Sequence, residues 1–540
     1  VAPAWPYSGE ARVVNAPAAM VVSGSPIASE VGRDILQRGG NAVDAAVAVG
    51  FALAVVHPEA GNIGGGGFMV VRMGDGKVQA LDYRETAPAR ASRDMYRSAG
   101  EDASVTGHLS VGVPGAVAGL IEAHSRFGRL PFSEVIEPAI HLANQGFVVD
   151  EYRSRSIADD SARLTLFPAS RATFLPADRP PAPGSTFLQP ELGATLEAIR
   201  DSGAAGFYRG WVADLLVAEM ERGGGLISRE DLAAYRAIWR DPVEISYRGS
   251  TIYSMPPASS GGVTMGEILN IMEGFGPLPP FGSTALMHRE AEAMRRAFID
   301  RNTYLGDPGF VRNPIERLLS KRYAEELRGQ IGEQASATPA PTPATSDGSS
   351  TTHYSVIDAD GNAVSCTTTL NNSYGSAVTV TGAGFLLNDE MDDFATSPGE
   401  PNMYGLVQGE ANAIAPGKRM LSAMTPSIVL DSTNQLHMVV GTPGGPRIIT
   451  MVYHVISNVI DHRMSLPDAV AAPRLHHQGL PDSLMVERDG FVPETLDSLR
   501  ARGHGVSERG WWGDVEGIIR TPAGWQGVSD PRRGGGGAGY

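Results

Sequence analysis

The chain switches repeatedly between apolar residues at helical spacing and short runs that alternate as strands do. Residues 45–56 form the longest apolar run, closed by His57-Pro58. A bilayer span needs roughly 18 or more such residues, so this run is read as a buried helix. Ahead of it the pattern predicts a short strand from Met20 and a helix with small residues over 28–40. Helical periodicity is clear over 131–145, where Val135, Ile136, Ala139, Ile140 and Leu142 share a face, and recurs over 192–201, 213–222 and 283–305. Strands are predicted over 68–73 and 78–83, joined by the hairpin-length turn Gly74-Asp75-Gly76, and over 351–357 and 363–371. No internal repeat is present.

One stretch has neither period. Residues 334–350 contain Pro, Thr, Ser, Ala and Gly but no apolar core former, and read as an extended, mobile linker. It joins two domains, or its junction Ser350-Thr351 is a processing site. In the hairpin that follows, Ala359-Asp360-Gly361 makes a three-residue loop with Gly361 in the left-handed position. That register pairs Asp358 with Asn362 and sets Thr351 opposite Thr369, with Asn371 diagonal on the same face. A slip of one residue turns all three away. Thr is a weak nucleophile without an adjacent base. If the chain is cut before Thr351, the new α-amine, with an unperturbed pKa of roughly 7.7–8.0, supplies one on the same residue. The plainer alternative is that Thr351, Thr367, Thr368 and Thr369 are only strand formers.

Composition narrows the chemistry. The chain has 540 residues, with 42% hydrophobic and 19% charged, an ordinary soluble balance whose length suggests three or four domain-sized units. A net charge of −16 argues against a nucleic-acid partner. The single cysteine, Cys366, excludes an intramolecular disulfide framework, a Cys-based zinc site and an iron–sulfur cluster. Sixty-five glycines point to many tight turns and close backbone approaches. Val1 is not an initiator and the first 20 residues lack a signal pattern, so a mature form with its signal peptide removed, periplasmic or secreted, is expected.

Further candidates follow. Gly441-Thr442-Pro443-Gly444-Gly445-Pro446-Arg447 precedes a helical stretch, and its glycines can turn backbone N–H groups toward an oxyanion. It lacks the Gly-Lys-Ser/Thr of a phosphate loop. Arg84, just after a strand, can hold a carboxylate bidentately, or can be a surface residue paired with Asp82 or Glu85. Asp389, Glu390, Asp392 and Asp393 read as a solvated turn or as a cation or ammonium site, without the spacing of an EF-hand. His476-His477 is adjacent rather than i,i+4, and no metal or cofactor is expected.

Taken together these pieces resemble the γ-glutamyltranspeptidase family of N-terminal nucleophile hydrolases. The resemblance is carried by Asp82-Tyr83-Arg84-Glu85, Val113-Pro114-Gly115, Pro256-Pro257-Ala258-Ser259-Ser260-Gly261-Gly262, Thr351-Thr352-His353-Tyr354-Ser355-Val356, Thr369-Leu370-Asn371, residues 388–394, Lys418-Arg419-Met420-Leu421-Ser422-Ala423-Met424, residues 441–447 and Ser529-Asp530-Pro531-Arg532. It implies an α+β fold, a four-layer αββα sandwich made as one precursor that cuts itself between Ser350 and Thr351. The products are a large subunit, 1–350, ending in the linker as a free tail, and a small subunit, 351–540, which stay associated in one sandwich. It further implies that Thr351 is the nucleophile and its α-amine the base, that Thr369 orients it, and that the Gly444 and Gly445 amides form the oxyanion hole. Arg84 and Ser422 match the groups around the substrate α-carboxylate. Asn371, Glu390 and Asp393 match those around the α-amine, and Tyr404 matches a lid residue in the loop 398–409.

The implied activity is hydrolysis or transfer of a γ-glutamyl group from glutathione and related amides to water or to an amino-acid or peptide acceptor. No cofactor, membrane span or nucleic acid is involved. Ala423 departs from the family, which often has Ser there, and the missing hydroxyl is worth roughly 0.5–1.5 kcal/mol of hydrogen bonding to the α-carboxylate. Two alternatives remain at this stage: a glutaryl (cephalosporin) acylase on the same machinery, and an unprocessed, inactive binding protein.

Overall fold

A computed structural model describes residues 5–100, 102–337 and 350–540. The apolar run folds as part of the helix Ala42–Val56, every residue of which is buried. Asn41 caps it by accepting from the Val43 and Asp44 N–H groups, and Asp44 returns the bond to the Asn41 N–H. The helices predicted at 28–40, 131–145, 192–201, 213–222 and 283–305 appear as Pro26–Gln37, Phe132–Gln145, Pro190–Ser202, Gly210–Gly223 and Thr284–Tyr304.

Two seven-stranded sheets form the centre. The first runs Gly536–Gly539, Met20–Ser23, Thr351–Ile357, Ala363–Thr369, Gly66–Arg72, Val78–Tyr83, Ile238–Arg240. The second runs Arg12–Ala16, Gly524–Ser529, Glu516–Thr521, Leu436–Gly441, Ser427–Leu430, Ser250–Ser254, Val243–Tyr247. Successive side chains of a strand point to opposite faces, and the first sheet is buried on both. Val21, Met69, Val71, Tyr354 and Val356 join the core shared with helix Ala42–Val56. Met20, Val22, Phe68, Val70 and Ile357 join the core between the sheets. The helices Gly261–Glu273, Thr284–Tyr304 and Arg447–Ile460 share that second core and cover the far side. The layers are therefore helix, sheet, sheet, helix.

The length-based expectation of several separate domains is not met, because both sheets interleave strands from either side of residue 350. The hairpin register is as the loop dictates: Thr351 pairs with Thr369 and Ile357 with Ala363. Odd-numbered side chains of the strand Thr351–Ile357 face the second sheet, where Ser355 Oγ donates to the Glu516 carbonyl at 2.9 Å. Thr351 shares that face. One expectation needs correction. The second strand of the hairpin ends at Thr369, and Asn371 lies beyond it in the left-handed region, φ +82°. Of the stretch read as a linker, 338–349 lie outside the described residues. At its start the Ala335 N–H donates to the Arg502 carbonyl, and Ser336 Oγ donates to Glu292 at 2.6 Å.

Candidate active site

The end of the hairpin places two hydroxyls in contact. Thr351 Oγ1 lies 3.1 Å from Thr369 Oγ1, and Thr369 Oγ1 donates to the Ser350 carbonyl at 3.0 Å. The Asn371 N–H donates to the same Thr369 oxygen at 2.8 Å. Thr369 has one proton, which goes to Ser350, so the Thr351 hydroxyl is the donor in their contact. The chain of bonds runs from the Thr351 hydroxyl through Thr369 to the carbonyl of the preceding peptide. The left-handed turn at Asn371 makes this possible by folding its N–H back onto Thr369.

Beside the threonines lies a small cavity of about 20 Å³. Of the residues singled out from the sequence, its wall holds Thr351, Thr369, Asn371, Asp393, Arg84, Ser422, Tyr404 and Gly445. Glu390 and Gly444 are not on that wall. Arg84 is not the exposed residue that its flanking charges allowed, but fully buried. It contacts Asp393, meets Glu390 at 2.7 Å and lies 3.6 Å from Glu85. Asp389, Glu390 and Asp392 are likewise buried and Asp393 half-buried, at and within the 3₁₀ segment Glu390–Asp393, rather than in a solvated turn.

One guanidinium cannot neutralise the buried Glu85 and Glu390 and the half-buried Asp393 together, so the site redistributes protons. Burial, only partly opposed by Arg84, pushes Glu85 up to about 8. Burial likewise holds Glu390 well above the usual carboxylate range against the pull of Arg84, with Glu85 and Asp393 adding to the rise. Burial works to lower Arg84, but Glu390, Asp393 and Glu85 raise it further than burial lowers it. An acid raised in this way keeps in the folded state a proton that the unfolded chain has released. Between pH 4.5 and about 8 its contribution to stability is therefore lost as pH rises. The melting temperature is expected to fall across this window, and Glu85→Gln is expected to make the fall shallower. Thermal melts at several pH values check this, and an unchanged slope in the variant would show that Glu85 is ionised in the folded protein.

The loop carrying Tyr404 closes the cavity. Its hydroxyl donates to the Asn371 side-chain oxygen at 2.8 Å and lies 3.1 Å from the Asn371 carbonyl. Behind it a chain runs from Thr450 to His476 at 2.9 Å, His476 to Gln478 at 2.9 Å, and Gln478 Nε2 to the Tyr404 carbonyl at 3.1 Å. His476 therefore braces the loop that carries Tyr404. Gly444 and Gly445 have φ of +144° and +57°. A Cβ on Gly444 would stand 2.4 Å from Met451, and one on Gly445 3.1 Å from the Tyr404 ring, so both positions call for glycine. Among the described residues neither N–H donates to the protein.

Sequence reasoning missed two residues here. Ser260 donates through Oγ to the Ser422 carbonyl at 2.6 Å, and Arg301 Nε donates to Ser260 Oγ at 2.8 Å. Arg301 carried a readable signal. It falls on the apolar stripe Met287, Ala291, Met294, Ala297 and Phe298 of its helix, a position a charged side chain takes when something buried needs it.

Helices outside two sheets, with a hydroxyl nucleophile candidate at the head of a central strand, define the architecture of the N-terminal nucleophile hydrolases. A cephalosporin acylase from Bacillus halodurans shares this structure with a TM-score of 0.87 at 30% identity, over 98% of this chain and 97% of that one. The sequence model of gamma-glutamyltranspeptidase matches residues 28–540, and the chain belongs to that family. A glutathione hydrolase proenzyme of Escherichia coli is 46% identical over 534 residues, 96% of this chain and 91% of its own length. An acylase ACY 1 proenzyme of a Pseudomonas species is 40% identical, over 93% and 89%.

Proposed function

We propose that the protein is a γ-glutamyl hydrolase and transferase acting on glutathione and related γ-glutamyl amides, activated by cutting itself between Ser350 and Thr351. The observation that carries this reading is the bonded chain Thr351–Thr369–Ser350 carbonyl at the wall of a cavity that also holds Arg84, Arg301 and the Asp393 carboxylate. In the precursor the Thr351 hydroxyl gives its proton to Thr369 while Thr369 donates to the carbonyl. The Thr351 oxygen adds to the Ser350 carbonyl carbon, the C–N bond breaks as the carbonyl re-forms, and the nitrogen takes up the proton so released and leaves as the α-amine of Thr351. Water then opens the ester. This frees the Ser350 carboxylate and the Thr351 hydroxyl, leaving 1–350 and 351–540 as two associated subunits.

In the mature site the α-amine, near neutrality in pKa, takes the Thr351 proton as the hydroxyl attacks the γ-carbonyl, and passes it to the departing amine. The Gly445 and Gly444 N–H groups receive the oxyanion. Arg84 and Ser422 receive the α-carboxylate; the Ser422 hydroxyl is free to donate because its oxygen accepts from the Met424 N–H. Asn371 and Asp393, with Glu390 behind Arg84, receive the ammonium. The resulting ester is resolved by water or by an acceptor amine. The family membership and the proenzyme relatives support the activity, and the relatives that are acylases support glutaryl amides as the second substrate class. The Asp393 carboxylate on the cavity wall favours the amine-bearing acyl group.

Incubating the full chain and sequencing the smaller fragment tests the processing, with Thr351-Thr352-His353 as the expected start. Parallel assays with a γ-glutamyl anilide and a glutaryl cephalosporin test the substrate. Release of glutaryl but not γ-glutamyl groups overturns the primary reading. A periplasmic or secreted location belongs to the same reading and is checked by fractionating the producing cells.

A further inference from the structure

The cavity wall carries a second guanidinium. Arg301, on the helix Thr284–Tyr304, is buried and faces the same space as Thr351 and Arg84. Its Nε donates to Ser260 Oγ at 2.8 Å, and Nη1 donates to Asn302 Oδ1 at 2.8 Å and Gln408 Oε1 at 3.3 Å. All three acceptors are uncharged. Among the described residues no carboxylate is in ion-pair contact with Arg301, and Nη2 makes no hydrogen bond. Five other buried arginines each meet a carboxylate: Arg84 meets Glu390, Arg153 meets Asp150, Arg295 meets Glu292, Arg419 meets Asp82 and Arg474 meets Asp530. Asp393, the carboxylate whose charge favours the cationic form of Arg301, is itself in contact with Arg84. Burial and the Arg84 charge bring Arg301 down to about 10, so it remains a cation at neutral pH.

A buried cation held by neutral groups, with one amino group free toward a cavity, lacks a counter-ion that the protein does not supply. We propose that the substrate supplies it: Arg301 binds the free carboxylate of the acyl group, opposite Arg84. The link from Arg301 through Ser260 to the Ser422 carbonyl puts this cation at the end of the cavity where Ser422 lies. The inference rests on the γ-glutamyl reading and deepens it. The site selects acyl groups by two cations at the carboxylate, so donors lacking that carboxylate are poor, and glutaryl groups share its recognition.

The test compares two ligands that differ only in that carboxylate, L-glutamate and 4-aminobutanoate. For the mature enzyme, Arg301→Gln is expected to raise the inhibition constant of L-glutamate and the KM of a γ-glutamyl anilide by about tenfold or more, as loss of a charged hydrogen bond does. The inhibition constant of 4-aminobutanoate and the kcat are expected to stay nearly level. Arg301→Lys keeps the charge and is expected to recover most of the loss. Ser260→Ala breaks the link to Ser422 but leaves the cation, and is expected to have a small effect. Equal changes for both ligands, no change for either, or a Ser260→Ala variant that reproduces Arg301→Gln would each overturn the proposal. Should Arg301→Gln not mature, Arg301→Met removes the charge with an apolar chain of similar reach and carries the same comparison. Thermal protection by the two ligands reads binding without turnover: protection of the native enzyme by L-glutamate, lost in Arg301→Gln, supports the carboxylate site even if no γ-glutamyl anilide is cleaved. In that outcome only the activity assigned above fails.

Discussion

Thr351→Ala is expected to remain a single full-length chain on a denaturing gel and to release nothing from a γ-glutamyl anilide. Two losses coincide because one oxygen serves both steps. Without it no ester forms at Ser350, so the α-amine that would act as base stays locked in a peptide bond. The rate loss is expected to be on the order of 10⁴-fold or more, the scale seen when a covalent nucleophile is removed. The strand itself should survive, since Thr351 is buried opposite Thr369 and the backbone pairing does not use its side chain. Thr351→Ser keeps a hydroxyl and is expected to retain slow cleavage. An alanine variant that still splits at 350–351, or that turns over substrate, would falsify the nucleophile assignment.

Arg84→Met is the second large effect, and it acts on stability and on function together. The substitution removes the cation and leaves the buried Glu390 and the half-buried Asp393 without it. Breaking a buried pair from one side costs about 3–5 kcal/mol. The variant is expected to melt well below the native protein at neutral pH. A KM for γ-glutamyl donors raised by about a hundredfold is expected in whatever fraction matures, since a bidentate charged contact is lost. Melting curves at neutral pH check the first part and steady-state kinetics the second. Arg84→Lys with native kinetics would show that a point charge suffices and that the planar fork is not used.

What could be read from the sequence was whatever local geometry dictates. A three-residue loop with Gly361 at its left-handed position fixes a register, and that register carried Thr351 to Thr369 without knowledge of the fold. The helix 42–56 was legible because a run apolar on every side has nowhere to go but the interior. The contacts of Arg84 with Glu390 and Asp393 join residues some three hundred positions apart, and neither period nor propensity encodes such a meeting. For the same reason the acids at 389–393 looked solvated: their burial is imposed by the elements around them. Asn371 was misread because strand propensity continues past Thr369, whereas the chain turns there to return its N–H to the threonine. The sandwich and the remaining site roles came from the resemblance, not from pattern alone.

The interleaving of the two sheets bears on what the proposed cut would do to the protein. A break at 350–351 leaves each fragment holding strands that lie between strands of the other: Met20–Ser23 sits between Gly536–Gly539 and Thr351–Ile357, and Ser427–Leu430 sits beside Ser250–Ser254. Neither fragment owns a complete sheet, and so neither can leave as a folded body. Separation and unfolding become the same event. The nicked molecule should therefore run as one particle at any dilution that leaves it native, its melting point insensitive to protein concentration. Mixing of fragments between molecules should be limited by the rate of global opening rather than by a binding equilibrium.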